Sequence, residues 1–195
     1  GPDQRIEGRR DLGDAAERSF LEPRLSELHD PSLMHGLDAA AAEMLRAVRA
    51  REPIVIYGDY DVDGISATAI LFHTLRAIDP ATPVSTYVPH RMEEGYGLNS
   101  GAMIELARDH RLIVSVDCGV TALEPARAAK AAGARLIITD HHTPPSDGQP
   151  LPEAVAVVHP GLIKADGSRY PFRDLCGAGV AYKLAWRVLQ MAAGN

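Results

Sequence analysis

The spacing of apolar residues along this chain changes character at residue 54. Before it, Leu33, Leu37, Ala41, Met44, Leu45 and Val48 recur every three or four positions, which predicts an amphipathic helix over 33–50. After it, the apolar residues come in short runs at 54–57, 112–116, 136–139 and 154–158, and 84–88 reads as extended between Pro83 and Pro89. Between and after these runs, helical periodicity marks 65–78, 99–109, 122–132 and 177–192. Asn99 or Ser100 is suited to cap the second of these helices, and Gly133 to stop the third. Strands that are apolar at every position are buried on both faces, so the pattern predicts an α/β fold. The expected architecture is doubly wound, a mostly parallel sheet with helices on both faces, plus an N-terminal helical extension. Residues 1–32 are polar, broken by Pro23 and Pro31, and read as an arm with a short helix around 15–21. Residues 33–195 read as a single domain.

Composition changes this picture little. Of 195 residues, 46% are hydrophobic and 24% charged, ordinary values for a globular protein. No apolar run approaches the ~20 residues of a membrane helix. Cys118 and Cys176 are the only cysteines and form no disulfide framework, so a reducing, cytoplasmic setting is expected. The 20 basic against 26 acidic residues leave a net charge of −6. On its own this disfavours a dedicated nucleic-acid binder and favours a site that collects cations.

The candidate chemistry lies just after the strands, where open α/β sheets bind ligands. Gly-Asp-Tyr-Asp-Val-Asp-Gly over 58–64 brings Asp59, Asp61 and Asp63 behind the first strand. Asp117-Cys118-Gly119 follows the third, and Asp140-His141-His142 the fourth. Crowded carboxylates repel one another unless a cation sits among them. Carboxylates with imidazoles, and no paired thiolates, suit Mn²⁺ or Mg²⁺ better than structural zinc. Such a set can hold two ions, which points to metal-dependent hydrolysis of a phosphate ester or anhydride.

Local alternatives remain at several positions. Asp59 could cap a helix, and Asp61 and Asp63 could form a solvated turn. Of His141 and His142, one would hold metal and the other orient it or meet substrate. Cys118 reads as a small buried residue. Gly177-Ala178-Gly179 could bind an anion or allow tight packing. His90, Arg91, Tyr96 and Asn99 form a polar loop, in which Arg91 could clamp a phosphate or pair with Glu93 or Glu94.

The ordered series Gly-Asp-Tyr-Asp-Val-Asp-Gly, Val-Asp-Cys-Gly and Thr-Asp-His-His resembles the DHH phosphoesterase superfamily, named for its Asp-His-His. FLEPRLSELHDP, YVPHRMEEGYGLN and YPFRDLCGAGVAYKLA carry the likeness from about residue 14 to 192, towards the branch of bacterial single-strand-specific exonucleases. The resemblance implies 5′→3′ degradation of single-stranded DNA to 5′-mononucleotides with Mn²⁺ or Mg²⁺, two ions in the complete protein, in recombination and repair. It implies single-strand-binding protein and a recombination helicase as partners. It places metal on Asp61, Asp63, Asp117 and His141, and the catalytic roles on Asp59, Asp140 and His142, with His142 meeting the scissile phosphate. Substrate contacts fall to His90, Arg91, Tyr96 and Asn99. The superfamily's fourth acidic motif and second domain do not occur before Asn195, so a C-terminally truncated fragment with weak or no activity by itself is expected. Cyclic dinucleotides or short oligonucleotides are the alternative substrates, and a non-catalytic scaffold is the alternative to an enzyme.

Overall fold

The four apolar runs and the extended segment become five strands of one sheet: β1 (Ile54–Tyr57), β2 (Val84–Tyr87), β3 (Leu112–Val116), β4 (Arg135–Thr139) and β5 (Ala156–Val158). Their order is β2-β1-β3-β4-β5, and every pair is parallel. The computed structural model describes residues 20–89, 97–146 and 148–194. In register, Ile54 lies opposite both Val84 and Leu112, and Val116 opposite Thr139, so β1, β3 and β4 deliver their following loops to one edge.

Two apolar cores cover the sheet, one on each face. Because strand side chains alternate, Ile54 and Ile56 point to one core and Val55 and Tyr57 to the other. The first core receives α1 (Leu37–Arg49), α2 (Val62–Ile78) and α5 (Gly177–Ala192), through Leu37, Met44, Leu71, Leu75, Val180 and Leu184. The second receives α3 (Ser100–Asp109) and α4 (Leu123–Ala131), through Met103, Ala107, Ala126 and Ala129. Leu71 is 0% exposed in the first core. Leu71→Ala is therefore expected to cost about 2–5 kcal/mol, read as a lower urea midpoint with unchanged m.

The chain divides into two units, Gly1–Asp30 and Pro31–Asn195. In the first, Phe20 and Leu21 are helical, Leu25–Glu27 form a 3-10 turn, and the rest of the expected 15–21 helix lies outside the described residues. In the second, the helix expected over 33–50 starts only at Leu37. Pro31–Leu33 form a 3-10 turn, and Gly36 breaks the helix with φ 72. A Cβ on Gly36 would lie 2.3 Å from the Val157 carbonyl oxygen, so this close approach to β5 needs glycine. Helix α2 starts three residues before its apolar pattern because Asp61 caps it. Among the described residues, no helix is long and apolar enough to cross a membrane.

Candidate metal centre

The strand order reverses between β1 and β3, and ligands of open sheets bind at such a switch point. Asp59 and Asp117 leave the sheet at this point, and Asp140 follows the neighbouring β4. Asp61 turns the chain into α2: its Oδ1 accepts from the amides of Asp63 and Gly64, both at 2.9 Å. Asp59 is 3% exposed and accepts from the Tyr60 amide at 2.6 Å. The first turn of α2 folds directly onto it. A Cβ on Gly64 would sit 2.6–2.8 Å from the Asp59 Cβ, N and Cα.

Asp63 reaches across the site to the start of α5. Its Oδ2 accepts from the Gly177 amide at 2.6 Å and its Oδ1 from the Ala178 amide at 2.7 Å. Burial works against ionisation of Asp63, but the Ala178 and Gly177 amides overcome it and hold the carboxyl below its usual range. The anion received by the Gly-Ala-Gly helix start is thus a carboxylate of the same chain, and the glycines also permit tight packing. A Cβ on Gly177 would lie 2.3 Å from Asp117 Oδ1.

Asp117 is the centre of the site. It is 1% exposed, adopts φ 63, and its buried Oδ1 receives no hydrogen bond. Left-handed backbone is uncommon outside glycine, though Asp tolerates it better than most residues. Burial, then the charges of Asp63 and Asp61, push its pKa up to about 7. His141 Nε2 approaches to 3.1 Å from Asp117 Oδ1 and 3.6 Å from Asp63 Oδ2. Asp117 belongs to two sets of groups, Asp59–Asp61–Asp117 and Asp117–His141–His142; within each set, one ligand atom per residue lies within 4.8 Å of the others. A buried carboxylate oxygen that accepts no hydrogen bond, with an imidazole nitrogen at 3.1 Å and other acids around it, is what a divalent cation with oxygen and nitrogen ligands would satisfy.

Asp140 has a different part. Its Oδ2 accepts from the Val120 amide at 2.8 Å. Its Oδ1 accepts from the amides of His141 (2.7 Å) and His142 (3.1 Å) and from His142 Nδ1 (2.8 Å). These bonds occupy the carboxylate with shaping the Asp-His-His turn. Burial opposes the charge on Asp140, but the bonds win and hold it below the usual range. Burial also lowers the pKa of His142, but its bond to Asp140 raises it more. A cavity of about 420 Å³ adjoins His142, with Leu98, Val120, Thr121 and Thr143 in its walls.

Of the residues expected from the sequence, Asp59, Asp61, Asp63, Asp117, Asp140, His141 and His142 gather along this edge. Asn99 spends its side-chain oxygen on capping α3, accepting from Gly101 (2.8 Å) and Ala102 (3.2 Å). His90, Arg91 and Tyr96 lie outside the described residues. Cys118 is buried and its thiol pKa is pushed well up by burial, then by Asp140, which makes it inert. The sequence reading missed the α5 amides as the seat of Asp63. It also missed His159, which holds the carbonyl of His142 at 2.7 Å from behind β5.

A family model described as the DHH family, N-terminal domain, matches residues 53–194. This chain belongs to the DHH family. Among curated proteins, this DHH chain is 42% identical over 179 residues to the single-stranded-DNA-specific exonuclease RecJ of Bacillus subtilis, covering 90% of the chain and 22% of that protein. To RecJ of Thermus thermophilus it is 40% identical over 167 residues, covering 84% of the chain and 23% of the relative. The chain thus spans about a quarter of the length of these relatives. A crystal structure of exonuclease RecJ bound to manganese superposes with a TM-score of 0.69 at 39% identity, over 81% of this chain and 38% of that one. The parallel sheet and its flanking helices are therefore those of the DHH fold.

A cation held by Asp117 would have to compete with a proton, since burial and the neighbouring carboxylates push the Asp117 pKa up to about 7. Calorimetric titration of Mn²⁺ into the DHH chain is expected to show affinity falling roughly tenfold per pH unit below 7 and levelling above it. A flat profile between pH 5 and 7 would remove Asp117 from the ligand set.

Proposed function

We propose that this chain is the metal-binding part of an exonuclease that degrades single-stranded DNA in the 5′→3′ direction to 5′-mononucleotides, in recombination and repair. The observation that carries the reading is Asp117, which belongs to two sets of groups able to hold a metal and whose buried Oδ1 accepts no hydrogen bond. The RecJ relatives, named for single-stranded-DNA-specific exonuclease action, support the substrate class. This chain matches about a quarter of their length, so the reading is of a full-length polypeptide that, as the family resemblance implies, adds a further acidic motif and a second domain.

In this reading Asp61, Asp63, Asp117 and His141 hold Mn²⁺ or Mg²⁺. Asp63 remains able to bind metal because each of its oxygens keeps a second lone pair beyond its amide bond. A bound dication supplies charge neutralisation at the phosphate oxygens and lowers the pKa of coordinated water. Asp59, under the first turn of α2, adds to the negative field that draws the cation in. Asp140 holds His142 by Nδ1, which directs Nε2 to the scissile phosphate. When protonated, His142 keeps Nδ1–H on Asp140 and offers Nε2–H to a phosphate oxygen. Water adds to phosphorus and gives up a proton, the bond from phosphorus to the 3′ oxygen of the terminal nucleotide breaks, and that oxygen takes up a proton.

The test is Mn²⁺-dependent release of mononucleotides from 5′-labelled single-stranded DNA by the full-length native polypeptide. Release is expected with single strands, and little or none from the present chain alone. Cleavage confined to cyclic dinucleotides or dinucleotides would move the protein to another substrate class. No cleavage and no Mn²⁺ binding would make it a scaffold.

A further inference from the structure

The Asp-His-His turn is held from two sides, and only one of them is inside the motif. Within the motif, Asp140 binds the amides of the turn and the ring of His142. From outside, His159, the first residue after β5, meets the main chain of His142. Its Nε2 lies 2.7 Å from the His142 carbonyl oxygen, and the residue is 2% exposed.

The network fixes which nitrogen carries the proton. The Gly161 amide lies 2.9 Å from His159 Nδ1, and an amide N–H can only donate. Nδ1 is therefore bare, the proton sits on Nε2, and Nε2–H donates to the His142 carbonyl. The opposite tautomer would set two acceptors against each other at 2.7 Å and two donors against each other at 2.9 Å. The ring is itself immobilised. A Cβ on Gly161 would meet its Cε1 at 3.0 Å, and the backbone of His159 bridges to His35. His35 in turn places Nδ1 2.9 Å from the Val157 carbonyl oxygen. Residues 140–146 belong to no helix or strand, so the turn takes its position from such contacts.

We infer that His159 is a positioning residue for catalysis: its hydrogen bond to the His142 carbonyl fixes the main chain from which the phosphate-facing imidazole projects. The inference rests on the phosphodiesterase reading above. Groups of this kind, one contact behind the reacting side chain, typically cost 10–100-fold when removed, because sub-ångström placement decides the rate.

The experiment compares His159→Ala, His159→Phe and His159→Asn in the full-length native polypeptide. Alanine and phenylalanine are expected to lower kcat about 10–100-fold, with KM for single-stranded DNA and the Mn²⁺ dissociation constant within about twofold of the parent. Phenylalanine fills the space of the ring without its polar atoms, so a shared loss assigns the effect to hydrogen bonding. Asparagine carries one donor and one acceptor and is expected to restore most of kcat. A parent-like kcat in the folded alanine and phenylalanine variants overturns the inference. So does a loss that asparagine leaves uncorrected, or one that falls on Mn²⁺ affinity instead of kcat. Long-range ¹H–¹⁵N spectra of the present chain provide a readout without activity: His159 is expected as the Nε2–H tautomer, and the Nδ1–H form overturns the inference. An inactive parent polypeptide would instead overturn the phosphodiesterase reading, and this role with it.

Discussion

Asp117→Asn is expected to abolish measurable Mn²⁺ binding and to lower nucleotide release by the full-length protein at least ~10³-fold, about 4 kcal/mol of transition-state stabilisation. The same substitution is expected to stabilise the metal-free chain at neutral and alkaline pH. Both effects have one cause. Asp117 is buried next to Asp61 and Asp63, and its pKa is raised to about 7. The folded chain therefore binds a proton that the unfolded chain, titrating near the ordinary aspartate value, has already lost. Stability of the metal-free protein then declines as pH climbs from about 4 through about 7. Asparagine has no charge to bury, so that decline disappears, while the ligand that both sets of groups share is weakened. Melting curves in chelator across this range, set beside calorimetric Mn²⁺ titrations, test both halves. Parent-like Mn²⁺ affinity in the variant would sink the assignment of Asp117.

The second large effect is expected at Gly177→Ala. Alanine ordinarily improves on glycine in a helix by up to ~1 kcal/mol. Here its Cβ would stand 2.3 Å from Asp117 Oδ1 and 2.5 Å from Asp117 Cγ. Something must move, and each neighbour is tied down. Asp117 is buried at the end of β3, while the Gly177 amide holds Asp63. Overpacking of this kind costs about 1–3 kcal/mol, and the displacement falls on Asp117 and Asp63 themselves. We expect a lower urea midpoint and Mn²⁺ affinity reduced by about 10²-fold, some 2.7 kcal/mol. Gly179→Ala is the control. Its Cβ would meet the end of the Leu175 side chain at 3.0 Å, a contact that can adjust. Unchanged Mn²⁺ binding in the Gly177 variant would show that the contact with Asp117 is not needed.

The central strands were legible because a parallel sheet covered on both faces favours mainly apolar residues, while the edge strand β2, with Ser85 and Thr86, was legible only as an extended segment between prolines. β1 and β3 match their apolar runs residue for residue. Helix starts were less legible where a cap overrides periodicity, as Asp61 does for α2. The acidic and imidazole residues of the site could be read because three strand ends carry them in order. What each does depends on tertiary contacts that no local spacing encodes. Asp63 finds its amide donors 114 and 115 residues away. Asp140 stands in the same triplet as His141, yet its oxygens serve the turn. Asn99 allowed two readings, and the nearer partners, the amides of α3, claimed its side-chain oxygen. His159 carries no motif of its own, only a histidine after a short strand, and nothing in the order of residues ties it to His142.

Asp61 and Asp63 are held by main-chain amides, and Asp117 Oδ1 by no hydrogen bond; among the described residues, none of the three pairs with an arginine or lysine. Among the described residues, no arginine or lysine counterion has to be evicted when Mn²⁺ or Mg²⁺ arrives at the proposed site. Uptake is then expected to be paced by how fast the ion sheds its water shell, so that stopped-flow loading should run faster for Mn²⁺ than for the more reluctantly dehydrated Mg²⁺.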